Sequence, residues 1–183
     1  MNQEIRTHLD NLWSADRGLQ NNAFLTILEA TDQPVDWSYE VWELLLENLR
    51  HKDNHHRAIA AQVLCNLAKS DPQERMLRDF PSLLAVTKDE RFVTARHCLQ
   101  ALWKVGVAGK KQQILLMDGL ETRYKECVAE KNSTLIRYDI IENFRKLYDQ
   151  VRDDRIRKKA LELIESEEDL KYRKKYATLW KLL

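Results

Sequence analysis

The sequence predicts an all-α fold, a right-handed α-solenoid of about five helix pairs that forms one domain over residues 1–183. Three observations predict it. Arg17, Arg57, Arg96, Arg137 and Arg173 recur at separations of 40, 39, 41 and 36 residues, each near the start of an amphipathic segment. Apolar residues follow them in step: Phe24, Leu64, Trp103, Phe144 and Trp180 seven places on, then Ile27, Leu67, Gly106, Leu147 and Leu183 ten places on. Self-similarity at such a period marks a helical repeat array. The third observation is composition: four Gly and three Pro leave little room for the tight turns of a β-rich fold.

The elements follow in order, in repeats of about 1–32, 33–70, 71–109, 110–151 and 152–183. A first helix over 2–13 carries Ile5, Leu9, Leu12 and Trp13 on one face. Ser14 or Asp16 caps the second, through Leu19, Ala23, Phe24, Ile27 and Leu28, which Pro34 ends. Gln20 and Asn21 give this terminal repeat the polar outer face of a cap. Asp36 or Ser38 opens the third helix, WSYEVWELLLENL, apolar on more than one face. Asn54 caps the fourth, with Ala60, Val63, Leu64, Leu67 and Ala68 inward.

Asp71-Pro72-Gln73-Glu74 reads as N-cap, first helical position and capping-box acid of the fifth helix. The sixth runs through Ala95, Leu99, Leu102 and Trp103, with Gly106 and Gly109 closing it. The seventh, over 111–131, carries Leu116, Leu120, Tyr124, Cys127 and Val128 and breaks at Asp118-Gly119. Asn132 or Ser133 caps the eighth, with Ile136, Ile140, Ile141, Phe144 and Leu147 inward. The ninth spans about 153–166, and the tenth starts near Asp169 with Tyr172, Tyr176, Leu179 and Trp180.

Composition bounds the function. No apolar run approaches the roughly 20 residues of a membrane span, so no membrane partner is expected. The start, MNQEIRTHLDNLW, mixes acid and base early, which argues against a secretory leader. Cys65, Cys98 and Cys127 are odd in number and far apart, which suits a reduced, cytoplasmic setting. Charge is polarised: residues 1–91 hold 10 bases and 15 acids, residues 92–183 hold 20 and 14.

The arginine-led segments, clearest in HHRAIAAQVLCNLAK and TARHCLQALWKVG, resemble the HEAT-repeat family over nearly the whole chain. The resemblance implies first helices on a convex side, second helices on a concave binding side, and a ladder of arginines facing turn acids. Glu90 and Glu167, six residues before an arginine, fit that role; Asp53 is displaced and Lys131 opposes it.

Eight places after each arginine come Leu25, Cys65, Lys104, Arg145 and Lys181. Arg96, Lys104, Arg137, Arg145, Lys146, Arg173 and Lys181 thereby form a candidate basic strip for a protein or acidic peptide. The same pattern also fits arginines paired to turn acids and solvated lysines, with Asp139 and Glu142 diluting the field.

His51, His55 and His56 flank a turn at Asp53 but lack the HExxH or Cys support of a metal site, and no cofactor or catalytic motif is read. A non-catalytic protein–protein interaction scaffold is the expectation. The alternative is a nucleic-acid-binding protein, since HEAT-like alkylpurine DNA glycosylases resemble it in size; Asp139 beside Tyr138 would then supply the groove aspartate. The run from Lys171 to Tyr176 mixes bases with aromatics, as backbone-binding surfaces do and as a solvated last helix also does.

Overall fold

The computed structural model describes residues 1–181, and every regular element among them is helical. Leu183, expected in the ten-place column, lies outside the described residues. Contacts divide the chain into two compact units, Met1–Ala101 and a second that begins at Leu102.

In the first unit, α1 (Gln3–Asn11) packs on α2 (Arg17–Ala30), and α3 (Ser38–Asn48) packs on α4 (Asn54–Leu67). α5 (Arg75–Ala85) contacts α3 and leads through a short 3-10 turn, Val86–Lys88, to α6 (Phe92–Ala101). The second helices α2, α4 and α6 pack on one another in sequence. α4 lies between the other two, and its residues from Ala58 to Leu67 are buried except Gln62. Its alanines 58, 60 and 61, with Ala68 just beyond its end, keep neighbouring helices close at little side-chain entropy cost.

In the second unit, α7 (Trp103–Val107) packs on α8 (Lys110–Glu126) and α9 (Ser133–Val151). α10 (Asp154–Glu165) lies against α8 and α9, and α11 (Leu170–Ala177) against α9 and α10. Ile136, Ile140, Ile141, Phe144 and Leu147 of α9 are all buried, as their helical spacing predicts.

Several local expectations need correction. The sixth helix is divided: α6 stops at Ala101 and α7 restarts at Trp103, so eleven α-helices are described where ten were expected. Gly106 does not end a helix. It lies buried inside α7, where a Cβ would sit 2.8 Å from both Cδ atoms of Leu147 and 3.0 Å from a Leu116 methyl, so the missing side chain permits close approach. α8 runs unbroken through Asp118-Gly119, because tertiary contacts outweigh the turn preference of that pair.

Asp53, not Asn54, caps α4, accepting the His55 N–H at 2.8 Å. Neither Asp36 nor Ser38 caps α3; the Ser38 hydroxyl instead donates to the Ser70 carbonyl at 2.6 Å. Asp71 does accept the Arg75 and Met76 N–H groups, but Pro72, Gln73 and Glu74 form a turn before the helix, with Glu74 left-handed at φ 54°. Gln20 is buried and donates to the Leu12 carbonyl, so it is no part of a solvated cap. Leu19 and Val128 are exposed although they fall on the apolar stripes.

Candidate functional site

The periodic arginines are positioned by the N-termini of second helices, and Arg17, Arg57 and Arg137 each reach a carboxylate in the following turn. Arg17 donates to Asp53 at 2.9 Å, Arg57 to Asp89, and Arg137 to Glu167 at 2.8 Å. The Arg57 fork is bidentate, with Nε and Nη2 on the two oxygens of Asp89, while Nη1 donates to the His51 and Lys52 carbonyls. Burial raises the Asp89 carboxyl, but the Arg57 guanidinium and the Arg91 N–H outweigh it and hold the group below the usual aspartate range. Asp89 rather than Glu90 takes this role, Glu90 standing off at 3.9 Å, and the displaced Asp53 serves after all. Arg137 also lies over the Tyr124 ring at 4.5 Å, and Arg173 donates to the Glu167 carbonyl at 2.7 Å.

The proposed strip is thereby placed. Arg96 belongs to the first unit and Lys104, Arg137, Arg145, Lys146, Arg173 and Lys181 to the second. Arg137 is committed to Glu167, Arg145 to Asp149 at 2.9 Å and Lys146 to Glu142 at 2.9 Å. Lys104 lies 5.9 Å from the Trp103 ring, and Lys181 is exposed. The eight-place column is not uniform: Leu25 is exposed and Cys65 fully buried. Asp139 is also buried, at 1% exposure, so it does not stand in an accessible groove as base chemistry would need.

The residues that sequence reasoning missed lie in the first unit. A cleft of about 440 Å³ opens over α2, α4 and α6, with Phe24, Ala58 and Ile59 beneath and Asn21, His55, Gln62 and His97 around it. Arg17 and Gln20 close one side, joined by a 2.7 Å hydrogen bond. Gln62 donates to its own helix at the Ala58 carbonyl, which leaves its amide oxygen to the cleft. The side chains of Asn21, His55 and His97 have no hydrogen-bond partner among the described residues. Desolvation and the adjacent Arg96 charge hold the His97 imidazole below its usual value, so it is neutral near pH 7. The signal was present in the sequence, because Asn21, Gln62 and His97 each follow a repeat arginine by one to five places.

His51 and His56 stack at 4.1 Å with Trp13 beside them, and His56 Nδ1 lies 3.1 Å from the Asn48 amide oxygen. These rings fill a helix junction, and no three metal-ligating groups converge among the described residues.

No family model matches the sequence, and no curated protein matches it. The crystal structure of an engineered protein is similar over 98% of this chain and 95% of its own, with a TM-score of 0.50 at 15% identity. That likeness concerns the helical fold alone. No described helix is long and apolar enough to cross a membrane.

Proposed function

We propose that the chain is a non-catalytic interaction module, a HEAT-like solenoid whose wall of second helices captures a segment of a partner protein. The observation that carries this reading is the cleft over α2, α4 and α6, where solvent-facing amide and imidazole groups surround an apolar floor. Such a lining suits an extended segment that inserts one apolar side chain and offers backbone N–H and C=O groups to Asn21, Gln62, His55 and His97. The ordered side-by-side packing of second helices and the arginine–carboxylate rungs support the repeat reading.

The test begins with peptides selected on the full chain from a random displayed library. Asn21→Trp and Gln62→Trp, which fill the cleft from exposed and half-buried positions, are expected to weaken those peptides at least about tenfold, a loss of roughly 1.4 kcal/mol. Reversal of Lys104, Arg145 and Lys181 to Glu is expected to leave them bound. The opposite pattern would move capture to the basic strip, and no selected peptide would refute the module reading.

A further inference from the structure

We infer that the α9–α11 face of the second unit binds single-stranded nucleic acid through its backbone and unpaired bases. This is a site separate from the cleft and independent of what the cleft takes. Tyr138, Arg145 and Tyr148 stand at i, i+7 and i+10 on α9, one stripe about 15 Å long at 1.5 Å per residue. Along it, cations and rings alternate. Lys175 lies 5.1 Å from the Tyr138 ring, Arg145 5.6 Å from Trp180, and Arg152 5.5 Å from Tyr148. Lys171 lies 5.6 Å from Tyr172, and the Tyr148 and Trp180 rings are 5.5 Å apart.

Charge on this face is poised for an outside anion. On α8 and α10, Lys125 and Lys159 are both held by Glu121 at 2.6 Å, and Lys110 and Arg155 by Asp153. On α11, the exposed Lys171, Lys174 and Lys175 make no ion pair among the described residues. Two carboxylates do stand on the α9 side: Asp149 with Arg145 and Arg152, and Glu142 with Lys146. The unit as a whole, from Leu102 onward, holds 19 bases and 14 acids. A polyanion is its natural complement.

The rings decide between polyanions. A run of carboxylates presents no flat π-face to these half-buried rings, whereas an unpaired base stacks on one. Each cation now occupies a ring face that a base would take. Binding exchanges the cation–ring contact for a phosphate contact and a stacked base.

Arg152 is a second sign. It ends α9 in the left-handed conformation, φ 51° and ψ 39°, with its N–H on the Tyr148 carbonyl at 2.8 Å. Glycine is the residue that fits such a helix end without strain. An arginine there costs folding energy and sets a guanidinium at the end of the aromatic stripe.

The experiment is fluorescence anisotropy of a labelled oligothymidylate with the full chain across a salt series. Binding at low salt is expected, with a log–log slope of about −2 to −3, as three or four neutralised phosphates require. Arg152→Gly relieves backbone strain, so it is expected to melt no lower than wild type, yet to weaken binding and reduce the slope by about 0.7. Joint reversal of Lys171, Lys174 and Lys175 to Glu is expected to weaken binding more than about tenfold, and Lys125→Glu to leave it unchanged. Tyr138→Leu is expected to lose affinity at unchanged slope. Absence of low-salt binding, wild-type affinity in both Arg152→Gly and the lysine variant, or equal competition by polyglutamate would each overturn the inference.

Discussion

Arg57 and Arg17 hold equivalent positions in the repeat, yet their removal should have unequal consequences. The Arg57 and Asp89 side chains are 12% and 5% exposed, whereas those of Arg17 and Asp53 are 52% and 28% exposed. Arg57→Ala strands a buried carboxylate and removes donors from two backbone carbonyls. Breaking a buried pair from one side costs about 3–5 kcal/mol. Asp89 keeps the Arg91 N–H at 2.8 Å, which favours the lower end of that range. Arg17→Ala removes a pair of the exposed kind, worth about 0.2–1 kcal/mol. In a chain of this length each kcal/mol moves the melting midpoint by about 2–4 °C. A loss of about 3 kcal/mol for Arg57→Ala therefore gives a shift of about 6–12 °C, against about 4 °C at most for Arg17→Ala. Thermal melting followed by circular dichroism reads both. The Asp89 carboxyl titrates lower folded than unfolded, so its contribution is present above the ordinary value of 3.8 and is lost as pH falls through the folded value. Asp89→Asn should accordingly flatten the loss of stability in acid. Equal midpoints for the two arginine variants would refute the premise that burial, rather than position in the repeat, sets the strength of a rung.

Further outcomes follow from other contacts. Gly106→Val should cost about 2–3 kcal/mol in urea titration, because the new side chain meets Leu147 and Leu116, both buried. Gly106→Ala should cost less, since alanine regains about 1 kcal/mol of helix propensity. Burial, with the nearby His51 and Arg17, holds the His56 imidazole below its ordinary 6.5 against the opposing pull of Asp53. The neutral ring therefore stabilises the fold above pH 6.5, and that contribution is lost as pH falls through the lowered folded value. His56→Gln, which can keep the Asn48 contact, should reduce the difference in urea midpoint between neutral and acid pH. An unchanged difference would show that the stacked pair is not the source.

Most core positions were legible because burial on α9 and α10 follows the helical period closely, whereas α4 is buried nearly all round and the break between α6 and α7 left no mark in the pattern. Caps were less so. Asp53 and Asn54 are adjacent and both suitable, and only the backbone geometry selects Asp53. Asp89 and Glu90 posed the same choice for Arg57, and the shorter side chain won the bidentate geometry. Gly106 was misread because a helix-ending glycine and a close-packed glycine look alike without their neighbours. The basic strip was visible as a pattern of charges, but its satisfaction by Asp149, Glu142 and Glu167 depends on rotamers and partner helices that periodicity does not encode. The cleft went unread for a related reason: Asn21, His55, Gln62 and His97 share no single column, and only the side-by-side packing of three helices gathers them.

Each rung joins a donor on one helix pair to an acceptor in the turn of the next, as with Arg17 to Asp53 and Arg57 to Asp89. A pair in mid-chain thus carries a key at one side and a lock at the other. On the proposed repeat reading, duplicating the segment that holds α3 and α4 would hand each copy a ready mate, and the chain would lengthen by a whole module without any new interaction being invented.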